Sequence, residues 1–393
     1  MKLPRIYLAI DNCFASKRWT KPTEWMEVIR GLGINYIEAS ADTECDPLYM
    51  GEDYIKDWIE EVLICSKRLG MSVVNLYSGH GTYTTLGLAH TDYRIRDRFS
   101  NQWLKPMVDT AGRIGAGLGF FCHAFSNTML QDTREYNLHE NELYNRLSEL
   151  SMYAADKSIG PLCVEQMYTP HQLPWTISGA EKLIKEVFSR NRNPLYITID
   201  TGHQTAQKTF MEPDYKKVFE LLSVSGNRSA GCYTWLGSNK AYQYYTEAIA
   251  SNTFDNSYYT DKIIDDIKKH PYLFAKGEDS NLYTWLEKLG CYSPIIHLQQ
   301  TAGNVSSHLA FTEENNITGI VSPKKVLKAL LDSYTNSYCL SGMPPVCENI
   351  YLTLEIFSRT TDINFNIIQA LKESVEFWRI EIPEDGVSLD ELI

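Results

Sequence analysis

Eight short apolar runs, each followed by a stretch with helical spacing, constrain this chain more than any other feature. They are 5–11 (RIYLAID), 34–41 (INYIEASA), 72–78 (SVVNLYS), 116–125 (AGLGFFCHAF), 161–167 (PLCVEQM), 194–200 (PLYITID), 293–300 (SPIIHLQQ) and 349–357 (NIYLTLEIF). Each is nearly continuous in apolar residues, as a parallel strand covered on both faces must be. Between the second and third runs, Ile55, Trp58, Ile59, Val62 and Leu63 recur at helical intervals, with Gly70 as a stop. Ser322-Pro323 opens a later helix, with Ser as cap and Pro at the first position, and Asp362 is placed to cap the last long one. Eight strand-then-helix units predict a closed α/β barrel, the (β/α)8 or TIM barrel, over residues 1–393 as a single domain. An open doubly wound sheet is the alternative, usually with fewer strands.

Three segments exceed a minimal barrel. Residues 205–278, after strand six, are rich in Tyr, Asn and Ser, with helical pieces of their own, and are expected as a mostly helical insertion over the active-site face. Residues 302–321 form a long loop, and such loops inside compact domains are usually functional or disordered. Residues 384–393 are expected as an acidic tail.

Composition narrows the partners. A formal net charge of −12 repels phosphate backbones, so nucleic acid is not the expected partner. No apolar run approaches a membrane span, and the first, Ile6 to Ile10, is too short for a signal-peptide core. The nine cysteines form no C-x-x-C pair, which fits reduced thiols in a cytoplasmic protein and argues against cysteine-ligated zinc.

Barrel chemistry lies at the C-terminal strand ends. There the fifth to eighth runs carry Glu165, Asp200, His297 and Glu355. A lone strand-end carboxylate is more often a helix cap or salt-bridge partner, and a lone His297 would be a satisfied core histidine as readily as a ligand. Four such residues on four successive strands are harder to dismiss. Three carboxylates around one small mouth repel one another, and each is expensive to bury unpaired. One divalent cation resolves both problems, and three oxygens with one imidazole suit Mn, Mg, Co or Zn. His203 follows Asp200 in D-T-G-H on the same turn. Weaker candidates for substrate contact are His80, His123, Glu38, Trp175 and His308, with Tyr168, His171 and Gln172 near the fifth strand. The basic run at Arg94 to Arg98 reads more readily as a solvated helix face than as an anion site.

The blocks VEQMYTPHQLPWT (164–176), ITIDTGH (197–203), IIHLQQT (295–301) and LTLEIF (352–357) resemble the xylose isomerase-like, sugar phosphate isomerase/epimerase superfamily. The resemblance implies that Glu165, Asp200, His297 and Glu355 hold the metal, and that Glu165 and Glu355 also move the proton. His203 matches a histidine that contacts substrate or a further metal. A homo-oligomer is implied, with a small sugar or sugar acid as ligand. The implied reaction is isomerisation or epimerisation, through an enediolate, of a ketose, aldose or sugar phosphate. Decarboxylation of a 3-oxo sugar acid passes through the same enediolate and is the alternative. The small ketose epimerases usually carry an Arg shortly after the strand-seven histidine, and this chain has none before His308. A trinuclear zinc nuclease of the endonuclease IV type shares His80, His123, Glu165, Asp200, His203, His297 and Glu355. It also needs Asp-x-His where this chain has Ser306-Ser307-His308. A non-catalytic barrel is disfavoured by the intact four-residue set.

Overall fold

The computed structural model describes residues 2–78, 85–223, 234–251, 256–335 and 341–393. The eight runs form eight strands: β1 Arg5–Asp11, β2 Tyr36–Ser40, β3 Ser72–Tyr77, β4 Gly117–Phe120, β5 Leu162–Glu165, β6 Tyr196–Asp200, β7 Ile295–Leu298 and β8 Asn349–Leu354. Neighbours pair in parallel in chain order, and β1 pairs with both β8 and β2, so the eight-stranded barrel is closed. This is the expected (β/α)8 barrel. Strands β3, β4, β5, β7 and β8 stop before their apolar runs do, because the chain leaves the sheet early at its C-terminal end. That departure releases His123, Gln166 and Gln299 into the mouth region.

The helical ring packs on the barrel through large side chains. Trp25, Trp103, Trp285 and Trp378 are fully buried there, and each such side chain contributes about 1.5–3 kcal/mol of burial energy or more. Helix Gly51–Leu69 buries Trp58, Ile59 and Val62 as its spacing requires, but Cys65 completes the face while Leu63 stays 44% exposed. Helix Pro323–Thr335 begins at the expected proline. Helix Asn364–Arg379 is capped by Ile363 and not by Asp362, whose carboxylate instead accepts the Arg359 N–H in the preceding turn at 2.7 Å.

The segment after β6 is mostly helical. A 3-10 stretch, His203–Phe210, leads to helices Tyr215–Ser223, Asn239–Ala250 and Asn256–Lys269. It is fastened to the helices that follow β4: Tyr272 donates to the Leu130 carbonyl, at the end of helix Asn127–Leu130, at 3.0 Å, and its ring stacks on Tyr136, at the start of helix Thr133–Asp156, at 3.8 Å. Since barrel loops after strands lie at the catalytic end, this anchors the segment beside the mouth.

The last ten residues are not a free tail. A ninth strand, β9 Val387–Ser388, pairs antiparallel with β1, Leu389 is buried, and Asp385 makes a bidentate pair with Arg379 at 2.9 and 3.0 Å. The same carboxylate accepts the Leu8 N–H at 2.9 Å. Asp385, one of the acidic residues that suggested a tail, is used in pairing. Among the described residues, no helix is long and apolar enough to cross a membrane.

Candidate metal centre

The barrel brings four residues to one point. Glu165 ends β5, Asp200 ends β6, His297 is on β7, and Glu355 follows β8 directly. Each offers one ligand atom, all four atoms lie within 4.8 Å of one another, and all four residues are buried. Two ligands bound about 2.1 Å from a common ion stand about 4.2 Å apart at most, so small inward shifts would close the set. Oε2 of Glu355 lacks a well-formed hydrogen bond among the described residues, although Nδ1 of His297 and Nδ1 of His308 lie 3.4 and 3.3 Å away. A buried carboxylate oxygen so placed suits a cation.

The electrostatics agree. Burial alone would raise the Asp200 pKa, but His203, His308 and His297 nearby, with the Gln299 amide, bring it down to about 2. Glu165 is likewise held below its ordinary value, with His203 and His297 overcoming burial. Burial opposes charge on His297, yet Glu355, Glu38 and Glu165 push its pKa well up. The pocket therefore demands positive charge, which a proton on imidazole or a divalent cation can supply.

Other groups hold the ligands still. The Tyr77 hydroxyl donates to Glu165 Oε2, while Glu165 Oε1 faces His297 Nδ1 at 3.0 Å. Gln299 donates from its amide to both oxygens of Asp200 at 2.8 and 3.0 Å. Its carbonyl accepts the backbone N–H groups of Ser307 and His308 at 2.9 and 2.6 Å, so one side chain ties a ligand to the loop after β7. Gly202 makes room for it: a Cβ there would lie 2.5 Å from the Gln299 amide. Asp200 also accepts the Gly202 and His203 N–H groups at 2.6 and 3.0 Å, the turn that D-T-G-H encodes.

His203 and His308 reach the same place. Together with Asp200 they make a second group whose ligand atoms lie within 4.8 Å of one another. His203 Nδ1 is fixed by the Gln166 carbonyl at 2.9 Å, and its ring meets the Tyr168 edge at 4.8 Å. His308 stacks flat on Phe357 at 4.0 Å with a φ of 44°. Against burial, Glu355, Asp200 and Glu165 lift its pKa to about 9.

The remaining candidates divide. His123 is buried three residues beyond β4, where burial lowers its pKa to about 4 against the pull of Glu165, and Gln172 meets its Nδ1 at 3.2 Å. His171 is bonded to the Phe125 carbonyl at 2.7 Å. His80 lies outside the described residues. Glu38, expected at the substrate, is fully buried, with Asn75 and His297 on its two oxygens. Trp175 is buried among the core residues, its ring T-shaped against Phe210 at 5.8 Å. Arg94 is exposed and pairs with Asp92, as on a solvated face, whereas Arg96 is buried and pairs with Glu142 and the His90 and Thr91 carbonyls. Sequence reasoning passed over Tyr77, Asn75 and Gln299. The only signal for the first two was a polar atom inside the third apolar run, and for Gln299 its place two residues after His297.

A profile of the family described as Xylose isomerase-like TIM barrel matches residues 26–228, just over half of the chain. D-erythrulose 1-phosphate 3-epimerase of Brucella abortus (strain 2308) is 27% identical over 106 residues, covering 26% of this chain and 30% of that protein. The chain thus matches less than a third of that curated relative's length. Among solved structures, a candidate xylose isomerase from Rhodospirillum rubrum ATCC 11170 superposes with a TM-score of 0.67 at 16% identity, covering 95% of this chain and 99% of that one. D-psicose 3-epimerase from Clostridium cellulolyticum H10, with D-tagatose, gives 0.55 at 12% identity over 95% and 98% of the two chains. The 3-keto-D-glucoside 4-epimerase of E. coli gives 0.54 at 12% identity over 96% and 99%. At these identities the likeness is one of fold.

Proposed function

We propose that this chain, which belongs to the xylose isomerase-like TIM-barrel family, is a divalent-metal-dependent sugar isomerase or epimerase. The observation that carries the reading is the convergence of Glu165, Asp200, His297 and Glu355, from four successive strand ends, on one buried point. The epimerase names among its relatives and fold neighbours support the substrate class.

Those four residues would hold the cation, with Nδ1 as the nitrogen His297 presents. When bound, the cation supplies Lewis-acid stabilisation of negative charge on neighbouring carbonyl and hydroxyl oxygens of the sugar. The chain supplies the rest. Glu165 and Glu355 enter from β5 and from the end of β8, so one carboxylate can take the proton next to the carbonyl. The other can return it to the opposite face for epimerisation, or to the neighbouring carbon for isomerisation. The Tyr77 hydroxyl on Glu165 Oε2 leaves Oε1 directed at the centre. His203 and His308, whose ring nitrogens lie beside Asp200, would meet substrate hydroxyls. The segment after β6, anchored beside the mouth, would exclude water from the reacting carbon.

The second group, Asp200, His203 and His308, keeps a second reading in play. In a zinc nuclease it would hold a further ion, but Ser306 stands where that chemistry needs a carboxylate, and the net charge of −12 repels DNA. The test is incubation of the Mn²⁺-, Co²⁺- or Mg²⁺-loaded protein with a panel of ketoses, aldoses and their phosphates in D2O, read by NMR. Deuterium next to the carbonyl, with an isomer or epimer formed, is the expected result. CO2 release from a 3-oxo sugar acid would make it a decarboxylase, and cleavage of abasic DNA without sugar turnover would replace the proposal by the nuclease.

A further inference from the structure

The far side of His297 carries a buried polar chain that the proposed reaction does not use. While Nδ1 faces Glu165 and Glu355, Nε2 points the other way, 2.9 Å from Glu38 Oε2. The second Glu38 oxygen accepts a 2.6 Å hydrogen bond from Asn75 Nδ2. Glu38, Asn75 and His297 are all fully buried. Carboxylate oxygens lie beside both ring nitrogens, but only Nδ1 faces the point shared with Glu165 and Glu355; a cation held there would take the Nδ1 lone pair and leave the hydrogen on Nε2, where Glu38 Oε2 is placed to accept it.

Two local features of the barrel build this chain. The β2–β3 register shifts between Ile37 and Glu38, which brings Asn75 opposite Glu38. Strand β4 then leaves room for the amide. A Cβ on Gly117 would lie 2.7 Å from Asn75 Oδ1, and one on Gly119 would lie 3.0 Å from Asn75 Nδ2. Burying a carboxylate this completely is unfavourable unless its partners are fixed, and β2, β3, β4 and β7 all contribute to fixing them.

We infer that Glu38 is a positioning residue for His297: it imposes the Nε2–H tautomer and aims Nδ1 at the divalent cation, with Asn75 as its anchor. The inference rests on the metal-centre reading above. It replaces substrate contact as the role of Glu38.

Two measurements test it without relying on turnover. Selective ring-¹⁵N labelling of the nine histidines, with the protein loaded with diamagnetic Zn²⁺, lets two-bond ¹H–¹⁵N correlations report the tautomer. Nε2 protonated and Nδ1 metal-bound is expected for His297, and the reverse assignment overturns the inference even if no variant folds. Mn²⁺ titration gives the second readout. Glu38→Ala should weaken Mn²⁺ binding about 10–100-fold, and Glu38→Gln, whose amide oxygen still accepts from Nε2–H, should recover most of that loss. A purely structural role would lower the melting temperature of Glu38→Ala and leave its Mn²⁺ affinity unchanged, which also overturns the inference. If the wild type binds neither ion, the metal-centre reading itself fails, an outcome distinct from either of these.

Discussion

Single residues carry both the chemistry and its support. Glu355→Gln keeps the shape of the side chain but removes the carboxylate. It should lower kcat about 10²–10⁴-fold, the usual worth of a general acid or base, with an unchanged circular dichroism spectrum. Near-normal turnover would remove Glu355 from the mechanism. Glu44 makes a prediction outside the site. Burial raises its pKa to about 7 although the Trp58 and Trp25 indoles donate to it. The folded state therefore holds a proton that the unfolded chain releases near the ordinary value of 4.5, and stability falls as pH rises from there through about 7. The loss is at most about 3 kcal/mol. Urea unfolding at pH 5 and pH 8 should show it in the wild type and a flatter dependence in Glu44→Gln. Equal slopes would contradict the assignment. Residue roles were legible from the sequence only where charge met an apolar run. Glu165, Asp200, His297 and Glu355 stood out for that reason, and the barrel brings them together. Glu38 stood out in the same way, but its role depends on which neighbour it faces, and no spacing rule encodes that. The role of Trp175 is not legible from sequence, because an aromatic beside a motif looks the same whether it lines a pocket or packs against a neighbour such as Phe210.

At the scale of elements, strands covered on both faces write themselves as continuous apolar runs, and so the barrel could be read before it was seen. Short elements leave no such trace. Strand β9 has two residues, and the polar segment around it gives no alternation to detect. Its docking nevertheless buries Leu389 and adds the Asp385 bonds. Removing residues 385–393 should destabilise the fold by about 3 kcal/mol, measured as a lower urea midpoint. An unchanged midpoint would return the segment to being a tail. The insertion was visible as a break in the β/α rhythm, but its attachment through Tyr272 and Tyr136 joins residues far apart in sequence. Replacing 214–270 by a short Gly-Ser link should raise KM for the sugar while leaving Mn²⁺ affinity nearly unchanged. Equal KM values would make the segment structural only.

For the whole molecule, a closed barrel concentrates negative charge at one buried point and leaves the pocket to choose the reaction. Isomerisation, epimerisation and decarboxylation share an enediolate, so the sequence led to the site and not to the substrate. A cation bound only by the folded state must also stabilise it, by about 2.7 kcal/mol at a hundred times the dissociation constant. Elemental analysis of protein purified without added metal or chelator, beside a Glu165→Ala, His297→Ala double variant, tests the central claim most directly. About one Mn, Mg, Co or Zn per chain in the wild type, lost in the variant, is the predicted result. A wild type that holds no divalent ion even after reloading would contradict it.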